Sequence, residues 1–378
     1  RQLWLDNYFY GNVFSLQYNK NEDMLTIGGG WSKYDGKHYG KIIWADINIP
    51  HDYNWYNYTA HKTDYNIYLK YQRAINQYWS LFGDMQYRNV QYTTNGFRKA
   101  PNKAINKSFN FFNPKLGIVY TNKDGLNAYA SFSKASKEPN RDDFENNLIQ
   151  EPKPEYLYDY ELGVEKKFAQ ASVGATLYYM QYKNQLVLNG SVNDVGEYMR
   201  INTPNSYRLG VELQGAVQFV DWITASANIT CSRNRIQNFT AFIEDYDAGT
   251  QKPMHIGQTD ISFSPNVVGG LTVTVTPIKH FNMDVVSKYV GRQFLDNTRH
   301  YAKSLKPYDV HDIRLGYTLS PRFCKAIQIS AQINNIFNKK YESNGSTYSF
   351  ISDKQTVIHN YYFPMAGTHC MLAVNVEW

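Results

Sequence analysis

The residues of this 378-residue chain best able to bind or react are nine His, three Cys and 33 Tyr. Their spacing excludes most chemistry. No His-Glu-x-x-His pair is present to hold zinc, and no Gly-x-Ser-x-Gly elbow to present a nucleophilic serine. Cys231 and Cys370 fall on apolar positions and Cys324 in a short turn, so three separate thiols are expected. The run Gly28-Gly29-Gly30 lies inside an alternating segment with no helix behind it. It reads as a strand bend or a close approach of another backbone, not as a phosphate cradle. No catalytic residue, no metal site and no cofactor is expected, and the chain is not read as an enzyme. Holding a ligand is a different matter. The segment 35–63 carries His38, Trp44, His51, Tyr53, Trp55, Tyr56, Tyr58 and His61. Such rings stack on a flat chelate, a sugar or a corrin, and imidazole can ligate iron. The candidate contacts are His38, His51, Trp55, Tyr56, Tyr58 and His61, joined by Arg141 from another long connection. The competing reading of these rings is an interfacial aromatic belt with loop packing.

The elements that must position them are strands. From 222 to 232, Ile223, Ala225, Ala227, Ile229 and Cys231 alternate with Thr224, Ser226, Asn228, Thr230 and Ser232. Residues 208–219 and 326–334 repeat the pattern. Strands of about ten residues, apolar on one side and polar on the other, suit a wall between lipid and a wet lumen. The composition agrees: 33 Tyr, 20 Phe and 7 Trp accompany only 19% charged residues. A low mean hydropathy does not count against a barrel, because its lumen is polar. A net charge of +6 is too weak and diffuse for nucleic-acid binding. No run of 18 apolar residues offers a helical membrane span.

Fifteen strands are expected, at about 8–19, 22–34, 64–74, 78–93, 112–121, 125–135, 157–168, 171–183, 206–219, 222–236, 266–276, 280–291, 309–319, 326–337 and 368–377. Short connections alternate with long ones near 35–63, 94–111, 136–156, 184–205, 237–265, 292–308 and 338–367. That asymmetry is the one outer-membrane barrels show between periplasmic turns and extracellular loops. Fifteen is odd, and the first strand runs from the long-loop side to the short-turn side. Both point to further strands upstream. The chain begins at Arg1 with no signal peptide, so an upstream part is expected to have been processed away or left out. Charged residues on polar strand faces, Asp84, Arg88, Glu161, Glu165, Glu212, Asp312 and Arg314, line the expected lumen. They either dock an internal domain or pair with one another. Val374, Val376 and Trp378 alternate to a terminal aromatic, similar to the signal that barrel-insertion machinery reads by strand pairing.

Four phrases resemble the barrel of TonB-dependent outer-membrane receptors, in a Bacteroidetes-like form. They are Tyr129-Ala130-Ser131-Phe132 running on to Asp143-Phe144; Lys153-Pro154-Glu155 with Tyr160-Glu161-Leu162-Gly163-Val164-Glu165; Ile333-Asn334-Asn335-Ile336-Phe337-Asn338-Lys339-Lys340-Tyr341; and Tyr362-Phe363-Pro364 before the last strand. The resemblance implies an all-β, antiparallel transmembrane β-barrel. Residues 1–378 would be the C-terminal portion, about fifteen strands of twenty-two, with the N-terminal plug, its energy-coupling box and the first strands outside this chain. The lumen charges would then face the plug. The resemblance also implies TonB-coupled uptake of a scarce bulky nutrient across the outer membrane of a Gram-negative bacterium. A ferric siderophore or another metal chelate such as cobalamin is the expected cargo. Gln150-Glu151-Pro152-Lys153-Pro154-Glu155 departs from the haem-importing branch. Expected partners are the plug, the TonB complex, the insertion machinery, lipid and lipopolysaccharide, and no nucleic acid; a surface lipoprotein is left open. The alternatives are a passive porin, a glycan importer and a soluble all-β binding protein.

Overall fold

A computed structural model describes residues 1–146, 151–192 and 198–378. The middles of two expected long connections, 147–150 and 193–197, lie outside the described residues. The chain divides into two compact units, residues 1–119 with 131–159 and residues 120–130 with 160–378. No helix is long and apolar enough to cross a membrane.

The strands in chain order are β1 (Gln2–Lys20), β2 (Asp23–Ile42), β3 (Tyr53–Ala74), β4 (Trp79–Thr94), β5 (Ile105–Thr121) and β6 (Leu126–Lys137). A short helix α1 (Arg141–Asn146) follows. Then come β7 (Glu155–Lys167), β8 (Ala171–Val192), β9 (Tyr198–Val220), β10 (Ile223–Asp245), β11 (Thr250–Asp260), β12 (Val267–Val275), β13 (Phe281–Val290), β14 (Gln293–Phe294), β15 (Ser304–Leu305), β16 (Tyr308–Leu319), β17 (Ala326–Asn334), β18 (Glu342–Ser352), β19 (Gln355–Pro364) and β20 (His369–Glu377). All fifteen expected strands are present. The other five lie in three of the expected long connections, and the strands around 35–63 and 184–205 run far beyond the alternating cores.

In the first unit, β1, β2 and β3 pair antiparallel over nearly their whole lengths, from Lys20↔Asp23 to Gln2↔Lys41 and from Asp23↔Arg73 to Ile42↔Tyr53. Gly28 to Gly30 are crossed closely on both sides. A Cβ on Gly28 would collide with the Tyr68 ring, and one on Gly29 with the Asn66 carbonyl. The close-approach reading of that run is therefore the structural one. The faces are inverted relative to a soluble sheet. Among the exposed positions, the large apolar and aromatic ones alternate on one face: Tyr65, Ile67, Leu69 and Tyr71 on β3, and Trp79, Leu81, Met85 and Tyr87 on β4. The polar positions Lys62, Asp64, Asn66, Lys70, Asp84 and Arg88 share the opposite face. An apolar face on one side of neighbouring strands and a polar face on the other is the pattern of a barrel wall.

The second unit repeats this inversion. Leu209, Leu213 and Phe219 are 45%, 48% and 63% exposed. Strand β10 has two jobs. Its residues 223–231 pair with β12, while Arg235–Asp245 pair with β11 in a projecting hairpin. Likewise β17 pairs directly with β20, so β18–β19 is a hairpin inserted between two wall strands.

Candidate functional site

The outer ends of β2, β3 and β4 and the helix α1 build a ring-rich face in the first unit. Strand register places its members. Gly40 is opposite Tyr56, His38 opposite Tyr58, Gly36 opposite Ala60 and Tyr34 opposite Lys62. Lys62 is in turn opposite Tyr92. Cross-strand partners point to one side of a sheet, so Tyr34, His38, Tyr56, Tyr58 and Tyr92 share a face. A bulge between Gly40 and Lys41 leaves Trp55 as the extra residue. A Cβ on Gly40 would collide with both the Trp55 and Tyr56 rings, so glycine there makes room for the pair.

The rings form a connected set. Trp55 and Tyr56 meet edge to face at 4.6 Å, and Tyr56 stacks on Tyr58 at 5.9 Å. The Tyr34 hydroxyl lies 3.1 Å from His38 Nε2 and donates to Asn7 Oδ1 at 2.8 Å. Tyr92 stacks on Phe144 of α1 at 5.8 Å. Two polar atoms are orphaned, since Trp55 Nε1 and Tyr92 Oη are buried without a hydrogen-bond partner. Such a group carries a desolvation cost of about 1–3 kcal/mol, which a bound acceptor would relieve.

Arg141 supplies the charge. It opens α1, whose start is determined locally. Asn140 Oδ1 accepts the Asp143 N–H at 2.9 Å, and Asp143 Oδ2 accepts the Asn140 N–H at 2.8 Å. This reciprocal cap, with Asp142 and Asp143 in the first turn, suits the helix dipole. Phe144 is fully buried and clusters with Ala60, Tyr92, Phe97 and Ile105. The Arg141 guanidinium lies 5.8 Å over the Phe97 ring and 3.2 Å from Glu145. Burial pushes the His38 imidazole below its ordinary range, and the Arg141 charge pushes the same way. Burial raises the Tyr34 and Tyr56 phenols; the Arg141 charge pulls Tyr34 back, and the Arg98 charge, then Arg141, pulls Tyr56 back. The face thus carries an imidazole and phenols beside the Arg98 and Arg141 cations and the Glu145 carboxylate.

Of the expected ligand contacts, the structure brings His38, Trp55, Tyr56, Tyr58 and Arg141 together. It does not bring His51 or His61 to them. His51 sits near the hairpin tip, 3.5 Å from Asp52. His61 lies on the opposite face, 2.6 Å from Asp35. Sequence reasoning missed Tyr34, Tyr92 and Phe97. Tyr34 had a signal, since it alternates in step with His38. Tyr92 and Phe97 had none without the register.

The expected lumen charges are dispersed into local pairs. Asp84 is 3.7 Å from Lys70. The Tyr129 hydroxyl donates to Glu161 at 3.2 Å, and Glu165 is 3.7 Å from Lys167. Glu212 lies opposite Thr176 and Thr230, Asp312 accepts the Asn335 N–H at 2.8 Å, and Arg314 is opposite Asp284. Arg88 is the most engaged, bridging Asp64 and Glu138. Val374 and Val376 of β20 lie opposite Ile329 and Ile327, and Trp378 is exposed at the end. No group of three or more His, Cys, Asp or Glu able to hold a metal is present among the described residues.

The comparisons bear on the fold. No curated protein matches the sequence. The siderophore receptor PiuA from Acinetobacter baumannii is similar at a TM-score of 0.74 and 15% identity, over 100% of this chain and 56% of that one. The ferric-catecholate import receptor Fiu from E. coli K12, closed form, matches at 0.68 and 16%, over 99% and 55%. The ferric yersiniabactin uptake receptor FyuA from Yersinia pestis matches at 0.66 and 14%, over 100% and 55%. The chain thus spans little more than half the length of these solved structures. A family model described as TonB dependent receptor-like, beta-barrel matches residues 2–336. With strands where alternation put them, apolar faces turned outward and that match across most of its length, the chain belongs to the TonB-dependent receptor-like β-barrel family.

Proposed function

We propose that this chain forms barrel wall and ligand-binding surface of an outer-membrane receptor that takes up a scarce, bulky metal chelate by TonB-coupled transport. A ferric siderophore is the favoured cargo, with cobalamin as a further chelate of the same class. The observation that carries the reading is the face of Tyr34, His38, Trp55, Tyr56, Tyr58 and Tyr92 beside the Arg141 cation. Rings offer flat stacking surfaces, the orphaned Trp55 and Tyr92 donors call for acceptors, and Arg141 suits an anionic, oxygen-rich complex. The similar structures are named as receptors for ferric catecholate, for ferric yersiniabactin and for a siderophore, all iron-chelate cargoes.

The remaining parts follow the family pattern. An N-terminal plug would sit against the lumen charges and couple to the TonB complex. The insertion machinery would read Val374, Val376 and Trp378. The location would be the outer membrane of a Gram-negative bacterium, with lipid and lipopolysaccharide around the exposed rings.

The test is uptake by iron-starved cells producing the whole gene product. Truncating the segment 36–62 would be a poor probe, because it is mostly paired strand and not loop. Point changes are cleaner. Arg141→Gln and Tyr56→Ala are expected to weaken capture of a ferric catecholate by about tenfold each, equal to the loss of one charge-assisted or stacking contact. A protonophore is expected to stop uptake while leaving capture intact. Undiminished uptake in both variants, with the barrel correctly inserted, would sink the reading.

A further inference from the structure

The segment between β6 and α1 carries a carboxylate that no role described so far uses. Glu138 is only 8% exposed, and it sits three residues before Arg141. Its Oε1 accepts from Lys62 Nζ at 2.6 Å and from Arg88 Nη2 at 3.0 Å, and its Oε2 from Arg88 Nη1 at 2.9 Å. Arg88 meanwhile forks onto Asp64 through Nε and Nη2, at 3.0 and 2.5 Å to Oδ2. Two cations and two anions make a neutral box in which Arg88 spends both edges of its guanidinium. Lys62, Asp64 and Arg88 stand on adjacent wall strands, where pairing fixes them, with Arg88 opposite Asn66 and Val90 opposite Asp64. Glu138 is the one member that comes from the irregular side.

The chain beyond Glu138 has few ways to move independently. Pro139 restricts the backbone, and the Asn140–Asp143 cap starts the helix at once. The carboxylate and the cap therefore set where Arg141 starts, while Phe144 sets how deeply the helix sits. We infer that Glu138 is the positioning residue of the binding face: through Lys62 and Arg88 it pins the root of α1 to β3 and β4 and so holds Arg141 over Tyr34, His38 and Tyr56. The inference rests on the reading of that face as the ligand site. It adds that the site's cation is placed by a charge network on the wall.

A spin label tests it in the whole gene product in its membrane. Asp142→Cys, in a background with Cys231→Ser, Cys324→Ser and Cys370→Ser, reports on α1. Ser80→Cys reports on the far end of β4. With Glu138 intact the α1 label should give a broad, restricted spectrum. Glu138→Gln keeps the shape but removes the charge, and should add a sharp mobile component at α1 and none at Ser80→Cys. Glu138→Asp, one methylene shorter, should restore most of the restricted spectrum. If Glu138→Gln fails to insert, Lys62→Met removes one partner from the same carboxylate and should give a smaller mobile component. An unchanged α1 spectrum in the inserted variants would overturn the inference, as would equal loosening at both labels. Binding is read separately, with a ferric tris-catecholate quenching intrinsic fluorescence. Glu138→Gln should weaken it by about tenfold, and Arg141→Gln should do the same without mobilising the label. Mobilisation by Glu138→Gln with unaltered quenching in both variants would leave the pinning standing and overturn the ligand-site reading.

Discussion

The two units hold their outer regions together by different means. In the first, α1 is a separate piece attached mainly through side chains: the buried Phe144 ring, the Glu138 carboxylate just ahead of it, Lys103 Nζ donating to the Phe144 carbonyl at 2.8 Å, and Glu145 accepting the Lys99 N–H at 3.3 Å. In the second, the tips of hairpins β10–β11 and β18–β19 are joined mainly through backbone. Glu244 and Asp245 pair in parallel with Phe350 and Ile351. Tyr246 N–H donates to the Ile351 carbonyl at 3.0 Å. Asp247 accepts the Asp353 and Lys354 N–H groups at 2.9 and 2.7 Å, in a two-residue turn where both residues have positive φ. The Tyr246 and Tyr348 hydroxyls meet at 2.5 Å, and that bond and burial push the Tyr348 phenol up to about 12. Phe350 stacks on His359 at 5.6 Å. A clasp made of many small bonds tolerates single changes. An attachment resting on a few side chains tolerates fewer, and that is a reason to look for adjustable function in the first region.

The largest expected effect breaks the first region. Phe144→Ala removes a fully buried ring, at a cost of about 3–5 kcal/mol by the usual core truncation scale. The amides of 141–145 should lose most of their exchange protection while β3 and β4 keep theirs. Protection retained within about 1 kcal/mol of the parent would mean the helix is held some other way.

A smaller effect is expected in the second region. Asp247→Ala deprives two turn amides of their acceptor, worth about 1–2 kcal/mol together. Faster exchange should stay confined to Asp353 and Lys354, with the Glu244–Phe350 pairing intact. Separation of the hairpins on that single change would erase the contrast.

The smallest effect sharpens it through pH. His38 faces Tyr34, Arg141 and Glu145, and its folded pKa is lowered from 6.5, chiefly by burial. Below pH 6.5 the unfolded imidazole takes up a proton that the folded one resists, so its contribution is full above 6.5 and declines as pH falls toward the folded value. His38→Gln should flatten that acid-side loss around α1. An imidazole resonance titrating at or above 6.5 would refute it.

Much of the architecture was legible in one dimension. Alternation to the ends of 222–232 and 326–334 showed which strands exist and that each has an apolar and a polar side. The connection lengths showed which ends project. The same reasoning ended where alternation fades. Residues 35–42 and 53–63 are polar and aromatic on both sides, so they read as loop. They are strand because β2 and β3 continue each other's ladder, and backbone bonds do not depend on side-chain pattern. The hairpin β18–β19 escaped for the same reason.

The site divides along the same line. The sequence by itself determined the residue types: tyrosines, tryptophan and histidine concentrated in 35–63, and an arginine behind a proline in a stretch that reads as loop; the capped helix start there appeared only in the structure. Which of those residues meet was decided only by tertiary structure. Register put His38 and Tyr56 on one face and His61 on the other. A change of one residue in that register would exchange them, because side chains alternate with period two. The meeting of Glu138 with Lys62 and Arg88 spans 76 and 50 residues. Contacts at that range leave no local trace, because what selects them is the burial of a charge among its partners once the strands have paired.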